Sequence, residues 1–125
     1  MLEHTNFIRW FNELTIADIP LVGGKNASLG ELYRELKPQG INIPNGFAIT
    51  AEAYRFMLDV ANAWDGLHRA LNRLNPDDVN DLAKRGHKAR EIIYGAPLPA
   101  VLKQQILNAY RQLQTEYGDG LSLAV

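Results

Sequence analysis

Apolar and polar positions alternate first along "FIRWFNEL" (residues 7–14), where aromatic and β-branched residues predict a strand. In that strand Phe7, Arg9 and Phe11 share one face, and Ile8 and Trp10 the other. "ADIPLVGGKN" (17–26) breaks the pattern with a proline and a glycine pair and reads as a loop. Leu29, Leu32, Tyr33 and Leu36 then recur at helical spacing, predicting a helix from Ala27 to Leu36 that "KPQG" ends. Pro44-Asn45-Gly46 marks a turn and "GFAIT" a short strand. Thr50 can cap a helix from Ala51 to about Ala63, whose apolar side is Tyr54, Phe56, Met57, Val60 and Ala61.

A further helical pattern fills residues 74–95. It has Asn75 as cap, Pro76 in the first turn, and Val79, Leu82, Ala83, Ala89, Ile92 and Ile93 as the buried stripe. The last helix runs from about Pro99 to Tyr117, with Val101, Leu102, Ile106, Leu107, Tyr110 and Leu113 facing inward. "LSLAV" (121–125) reads as a strand. An apolar strand at a chain end leaves an open edge, so the sequence is expected to be cut from something longer; the alternative is a terminal strand tucked into a sheet. The sum is an α/β (α+β) fold, mostly helical with a few short strands.

Composition narrows the function classes. A chain of 125 residues fits one compact domain, and 46% apolar with 22% charged residues reads as soluble and globular. The net charge of −1 argues against a nucleic-acid partner held by bulk positive charge. It leaves room for a small anion held by a few local groups. With no cysteine, disulfides, thiolate catalysis and cysteine-based zinc sites are excluded. The N-terminus "MLEHTNFIRW" is not a secretory signal and no apolar run is long enough to cross a bilayer, so a cytoplasmic protein without a membrane partner is the simplest reading.

The candidate chemistry lies in "LVGGKNASLGEL" (21–32). Gly23 and Gly24 let the backbone come close to a ligand, and the helix that follows exposes amide hydrogens suited to a phosphate oxygen. Lys25 adds a full charge, and Asn26 or Ser28 can cap the helix or donate to the same anion. The stretch is not a Walker A loop, because Ile19 stands where the first glycine belongs and Asn26 where Ser or Thr belongs. The glycine spacing also fails the dinucleotide fingerprint. On these residues alone, a plain turn with an exposed lysine competes with a phosphate site.

Other constellations read as structural. His4, His68 and His87 lack metal-site spacing and read as ordinary surface or helix histidines. Lys84, Arg85, Lys88 and Arg90 read as a solvated helix face, and Glu31 and Glu35 as surface charge. Trp10 and Trp64 read as core or edge packing.

"LVGGKNASLGEL" followed by "GINIPNGFAITAEAYRFML" resembles the start of the phosphoenolpyruvate synthase (pyruvate, water dikinase) family. Pyruvate, phosphate dikinases and rifampicin phosphotransferases share the general form. "PLPAVLKQQILNAYRQL" and "LSLAV" also fall where that family's nucleotide-binding domain has them, so the resemblance spans almost the whole chain. It implies that residues 1–125 are the N-terminal portion of an ATP-grasp-like domain. In the family this domain works with a swivelling phosphohistidine domain and a pyruvate-binding barrel. ATP phosphorylates the histidine through a pyrophosphoryl intermediate, phosphate is released, and the histidine passes its phosphoryl group to pyruvate. Lys25 matches the family lysine that contacts ATP phosphates, and with it Gly23, Gly24, Asn26 and Ser28 are the expected cofactor-binding residues. The family's Arg-Ser-Ser-Ala segment, its Thr-Cys-His motif and its Mg2+ and nucleotide ligands have no counterpart here. The resemblance therefore implies no catalytic and no metal-binding residue in this chain. Two other readings stay open: a related dikinase with another acceptor, and a non-catalytic helical module that binds a partner through an exposed apolar strand.

Overall fold

The computed structural model describes residues 5–125 and is mostly helical, with one two-stranded antiparallel sheet. Strand β1 (Ile8–Trp10) pairs with β2 (Phe47–Ile49) in the register Ile8↔Ile49, Arg9↔Ala48 and Trp10↔Phe47. The ladder is extended at its ends, where Thr50 N–H donates to the Phe7 carbonyl at 2.9 Å and Phe11 N–H to the Gly46 carbonyl at 3.1 Å. The first strand is shorter than its apolar pattern predicts. The Glu13 carboxylate accepts the Trp10 N–H at 2.7 Å and turns Phe11–Glu13 into a 3₁₀ turn. Trp10 N–H points away from β2, because Trp10 and Phe47 form a pair without ladder bonds, and this local acceptor satisfies it where the chain leaves the strand.

The segment read as a loop before the first long helix is itself wound. A 3₁₀ turn at Ile16–Asp18, capped by Thr15, leads into the short helix α1 (Ile19–Val22). Helix α2 (Gly24–Leu36) follows after Gly23 alone, so it begins at Gly24 rather than Ala27. Its buried positions are Ala27 and Gly30, while Leu32, one of the apolar residues at helical spacing, is exposed. Small residues face inward because Leu14 comes so close. A Cβ placed on Gly30 would lie 2.5 Å from the Leu14 Cβ. Leu14, Val22, Ala27 and Ala48, with Phe11 and Leu21 against them, form the core here.

Thr50 caps helix α3 (Ala51–Val60) as expected, its hydroxyl accepting the Ala53 N–H at 3.4 Å. The chain falls into two compact units, one formed by residues up to Ala53 with Ala100–Val125, the other by Tyr54–Pro99. Helix α6 (Ala100–Tyr117) belongs to the first and buries Leu102, Ala109 and Leu113. Side chains tie it at both ends. Gln105 accepts the Phe7 N–H at 2.8 Å and donates to the Thr5 carbonyl at 2.7 Å. At the far end the Asn45 backbone N–H donates to the Tyr117 hydroxyl at 2.8 Å, and its carboxamide donates to Glu116 at 2.9 Å.

In the second unit α3 stops at Val60 instead of running to Ala63. Asn62 takes a left-handed φ of 52°, Ala63 N–H reaches back to the Leu58 carbonyl at 2.9 Å, and Asn62 N–H to Asp59 at 3.1 Å. This paired closure around a left-handed asparagine ends a helix. It also allows a separate helix, α4 (Trp64–Leu71), which the hydrophobic pattern does not single out. Helix α5 (Val79–Gly95) starts at Asp78, whose carboxylate accepts the Asp81 N–H at 3.1 Å. Asn75, the expected cap, instead accepts from Asp77 in the preceding turn. Leu58, Ala63 and Leu67 make the core with Ala89, Ile92 and Ile93, so only the second half of the expected α5 stripe is covered. Val79 and Leu82 are exposed. Residues 121–125 form no strand, contrary to the expectation, although Leu123 and Val125 stay exposed. A lone apolar segment gains no ladder bonds unless it lies along a free edge.

Candidate functional site

Between α1 and α2 the backbone breaks at one residue. Gly23 has φ 85° and ψ 163°, a conformation that a side chain rarely permits. Its own N–H closes α1 on the Ile19 carbonyl at 2.8 Å, and its carbonyl receives the first bond of α2, from Ala27 N–H at 3.0 Å. No side chain caps α2. Among the described residues the N–H groups of Gly24, Lys25 and Asn26 therefore have no hydrogen-bond partner. These are the orphan donors of a helix start, and they carry its partial positive charge.

Lys25 is the second residue of α2 and is exposed. Its ammonium forms no ion pair or hydrogen bond among the described residues. A Cβ built on Gly23 or Gly24 meets nothing within 4 Å, so the approach to the break is open. Ser28 lies one turn on from Gly24, exposed on the same helix face as Lys25. Asn26 behaves differently from its expected role. It neither caps the helix nor points an unengaged amide outward, because its Nδ2 donates to the Val22 carbonyl at 3.0 Å. The residues of the stretch are thus held together at one break, with Gly23, Gly24, Lys25 and Ser28 open to solvent and Asn26 turned back onto α1.

Several charged groups take structural partners. Glu31, read as surface charge, accepts the Ile16 N–H at 2.9 Å and anchors the turn that leads into α1. No spacing in the sequence signals that bond. Lys37 donates to the Tyr33 hydroxyl at 2.6 Å, and this bond holds its ammonium above the usual lysine range. In the basic run, Arg85 is spent on Asp81 at 3.0 Å and on the carbonyls of Ala70 and Asn72 at 3.3 and 2.6 Å. Lys84, Lys88 and Arg90 remain a solvated face. His87 pairs with Glu91 at 3.2 Å, His68 lies beside the Trp64 ring, and His4 lies outside the described residues. Trp10 packs on Phe47 with ring centres 5.4 Å apart, and the Trp64 indole donates to Asp59 at 2.6 Å.

A shallow cleft of about 220 Å³ runs between β1 and α6, lined by Asn6, Trp10, Gln105, Asn108 and Gln112 among others. Its lining is neutral and offers no cation to a polyphosphate. Among the described residues no group of three or more His, Cys, Asp or Glu could hold a metal ion. Nor is any helix among them long and apolar enough to cross a membrane.

Comparison with known proteins bears on this geometry. The model of a family described as pyruvate phosphate dikinase, AMP/ATP-binding domain, matches residues 19–125. A phosphoenolpyruvate synthase of Aquifex aeolicus is 46% identical over 110 residues, 88% of this chain and 13% of that protein. One from Pseudomonas aeruginosa is 43% identical over 114 residues, 91% of this chain and 14% of that protein. The Escherichia coli enzyme is 39% identical over 109 residues, 87% of this chain and 14% of that protein. The chain spans about one seventh of the length of these curated relatives. The helix break and its open lysine lie inside the matched region, and the chain belongs to the pyruvate phosphate dikinase AMP/ATP-binding domain family.

Proposed function

We propose that this chain is the N-terminal portion of an ATP-grasp-like nucleotide-binding domain and that it grips ATP phosphates for a phosphoenolpyruvate synthase. One observation carries the reading: among the described residues three unpartnered main-chain amides lie at the open break at Gly23, and Lys25, exposed and without an ion pair, is the second residue of the helix that starts there. Phosphate oxygens take the amide hydrogens of Gly24, Lys25 and Asn26, and the Ser28 hydroxyl adds a donor one turn on. Lys25 supplies the charge that offsets negative charge as a phosphoryl group departs.

The whole protein converts ATP, pyruvate and water to AMP, phosphoenolpyruvate and phosphate, in the cytoplasm. Mg2+ enters with the nucleotide and takes its ligands from outside this chain, as do the phosphohistidine and the pyruvate pocket. No residue of this chain forms or breaks a covalent bond with substrate. Its part is to orient the triphosphate and to stabilise its charge.

Titration with ATP while following backbone amide resonances tests the proposal. The signals of Gly24, Lys25 and Asn26 are expected to move first. Lys25→Ala is expected to weaken binding about fivefold to tenfold at low salt, the size of one charge-assisted contact at an exposed site. Unmoved amides in this stretch at saturating ATP would end the proposal.

A further inference from the structure

Asn26 occupies a particular place in the geometry of the break. In a continuous helix the backbone N–H of residue 26 would donate to the carbonyl of residue 22, four positions earlier. Gly23 interrupts that ladder, and the Asn26 N–H makes no such bond. The Asn26 side chain makes it instead, with Nδ2 3.0 Å from the Val22 carbonyl oxygen. The last carbonyl of α1 is satisfied, the two helices are pinned across the break, and the Asn26 main-chain N–H remains available.

We infer that Asn26 is a positioning residue: its side chain substitutes for the missing helical bond to Val22, holds Gly23 in its left-handed-side conformation and keeps the first-turn amides of α2 presented to an anion. The inference rests on the phosphate-binding reading for its purpose, but not for its structural content. Two facts support it beyond the bond itself. Val22 is buried and the bond to its carbonyl is part-buried, so loss of that partner has a cost. The N–H groups of Gly23 and Ala27 bond to Ile19 and to Gly23, on either side of the break, and both bonds depend on its angle. The side chain therefore sets the direction of the amides without contacting the anion through its own carboxamide nitrogen.

The test uses two substitutions of similar size. Asn26→Ala has no donor, whereas the hydroxyl of Asn26→Ser can donate to the carbonyl four residues back. Hydrogen exchange of the ligand-free protein reads the break directly. Exchange at Gly23 and Ala27 is expected to speed up about fivefold in the alanine variant, the equivalent of one ordinary hydrogen bond, and to return close to the parent rate in the serine variant. Inorganic pyrophosphate then reads the presentation of the amides. Affinity is expected to fall about fivefold in Asn26→Ala and to recover in Asn26→Ser, with its salt dependence unchanged in both. Lys25→Ala, by contrast, flattens the salt dependence. Unaltered exchange at Gly23 and Ala27 in the alanine variant would overturn the positioning role, whatever happens to binding. Exchange that rises with alanine and recovers with serine, while pyrophosphate affinity ignores Asn26 and Lys25 alike, would keep the pin and discard the phosphate site.

Discussion

Gly24 and Gly30 lie six positions apart on one helix and answer to different demands. At Gly30 an added methyl group would collide with the Leu14 Cβ at 2.5 Å and its carbonyl oxygen at 3.0 Å, and Leu14 is fully buried. Gly30→Ala is expected to destabilise by about 1–3 kcal/mol, as overpacking does, and thermal unfolding reads it. At Gly24 nothing lies within 4 Å and the backbone is already helical. Gly24→Ala is expected to stabilise by roughly 0.5–1 kcal/mol while weakening ATP binding, because the methyl group narrows the approach to the break. An alanine variant that is more stable and binds ATP as the parent does would show that no ligand uses the open space. The sequence pairs Gly24 with Gly23 at a break but says nothing of a packing demand at Gly30. Only the approach of Leu14 separates a packing glycine from one that leaves room.

At the scale of elements, α6 is joined to the start of the chain by side chains as well as by packing. Gln105 reaches across 98 residues to Phe7 and across 100 to Thr5. Gln105→Ala is expected to cost about 1–2 kcal/mol, read as a lower urea midpoint, with Gln105→Glu between the two. A carboxylate still accepts from Phe7 but cannot donate to Thr5. Helix α6 itself was legible, because its apolar residues repeat over five turns and glycine follows its end. Thr50 as a cap was legible for the same local reason. The start of α2 was not. Glycine, lysine and asparagine look like a loop, yet one left-handed residue suffices for the break and the next three are free to wind. Helix α4 was hidden because Asn62 ends α3 in the middle of an apolar run, and asparagine marks such a stop less plainly than glycine does.

For the molecule as a whole, the proposed site offers one lysine and three amides to a triphosphate that carries several negative charges. Phosphoryl transfer needs charge compensated on the leaving and transferring groups together, by metal and further cations. The chain by itself is therefore expected to bind ATP weakly and to transfer nothing. Incubation with labelled ATP and pyruvate checks this. Labelled phosphate or phosphoenolpyruvate above a protein-free control would contradict it. The relatives are about seven times as long as this chain, which leaves ample polypeptide for the rest of such a site.

Sequence by itself determined the helical character, the strand after Asn45-Gly46, the glycine break and the lysine beside it. Each is written in neighbouring residues, through periodicity, a capping hydroxyl or the lack of a side chain. Tertiary structure decided which glycine is packed against Leu14, which carbonyl the Asn26 carboxamide donates to, and that residues 121–125 form no strand. A period tells which face of a helix is apolar, but a contact needs a partner brought from elsewhere. A side chain with a donor takes whichever acceptor the folded backbone leaves nearest.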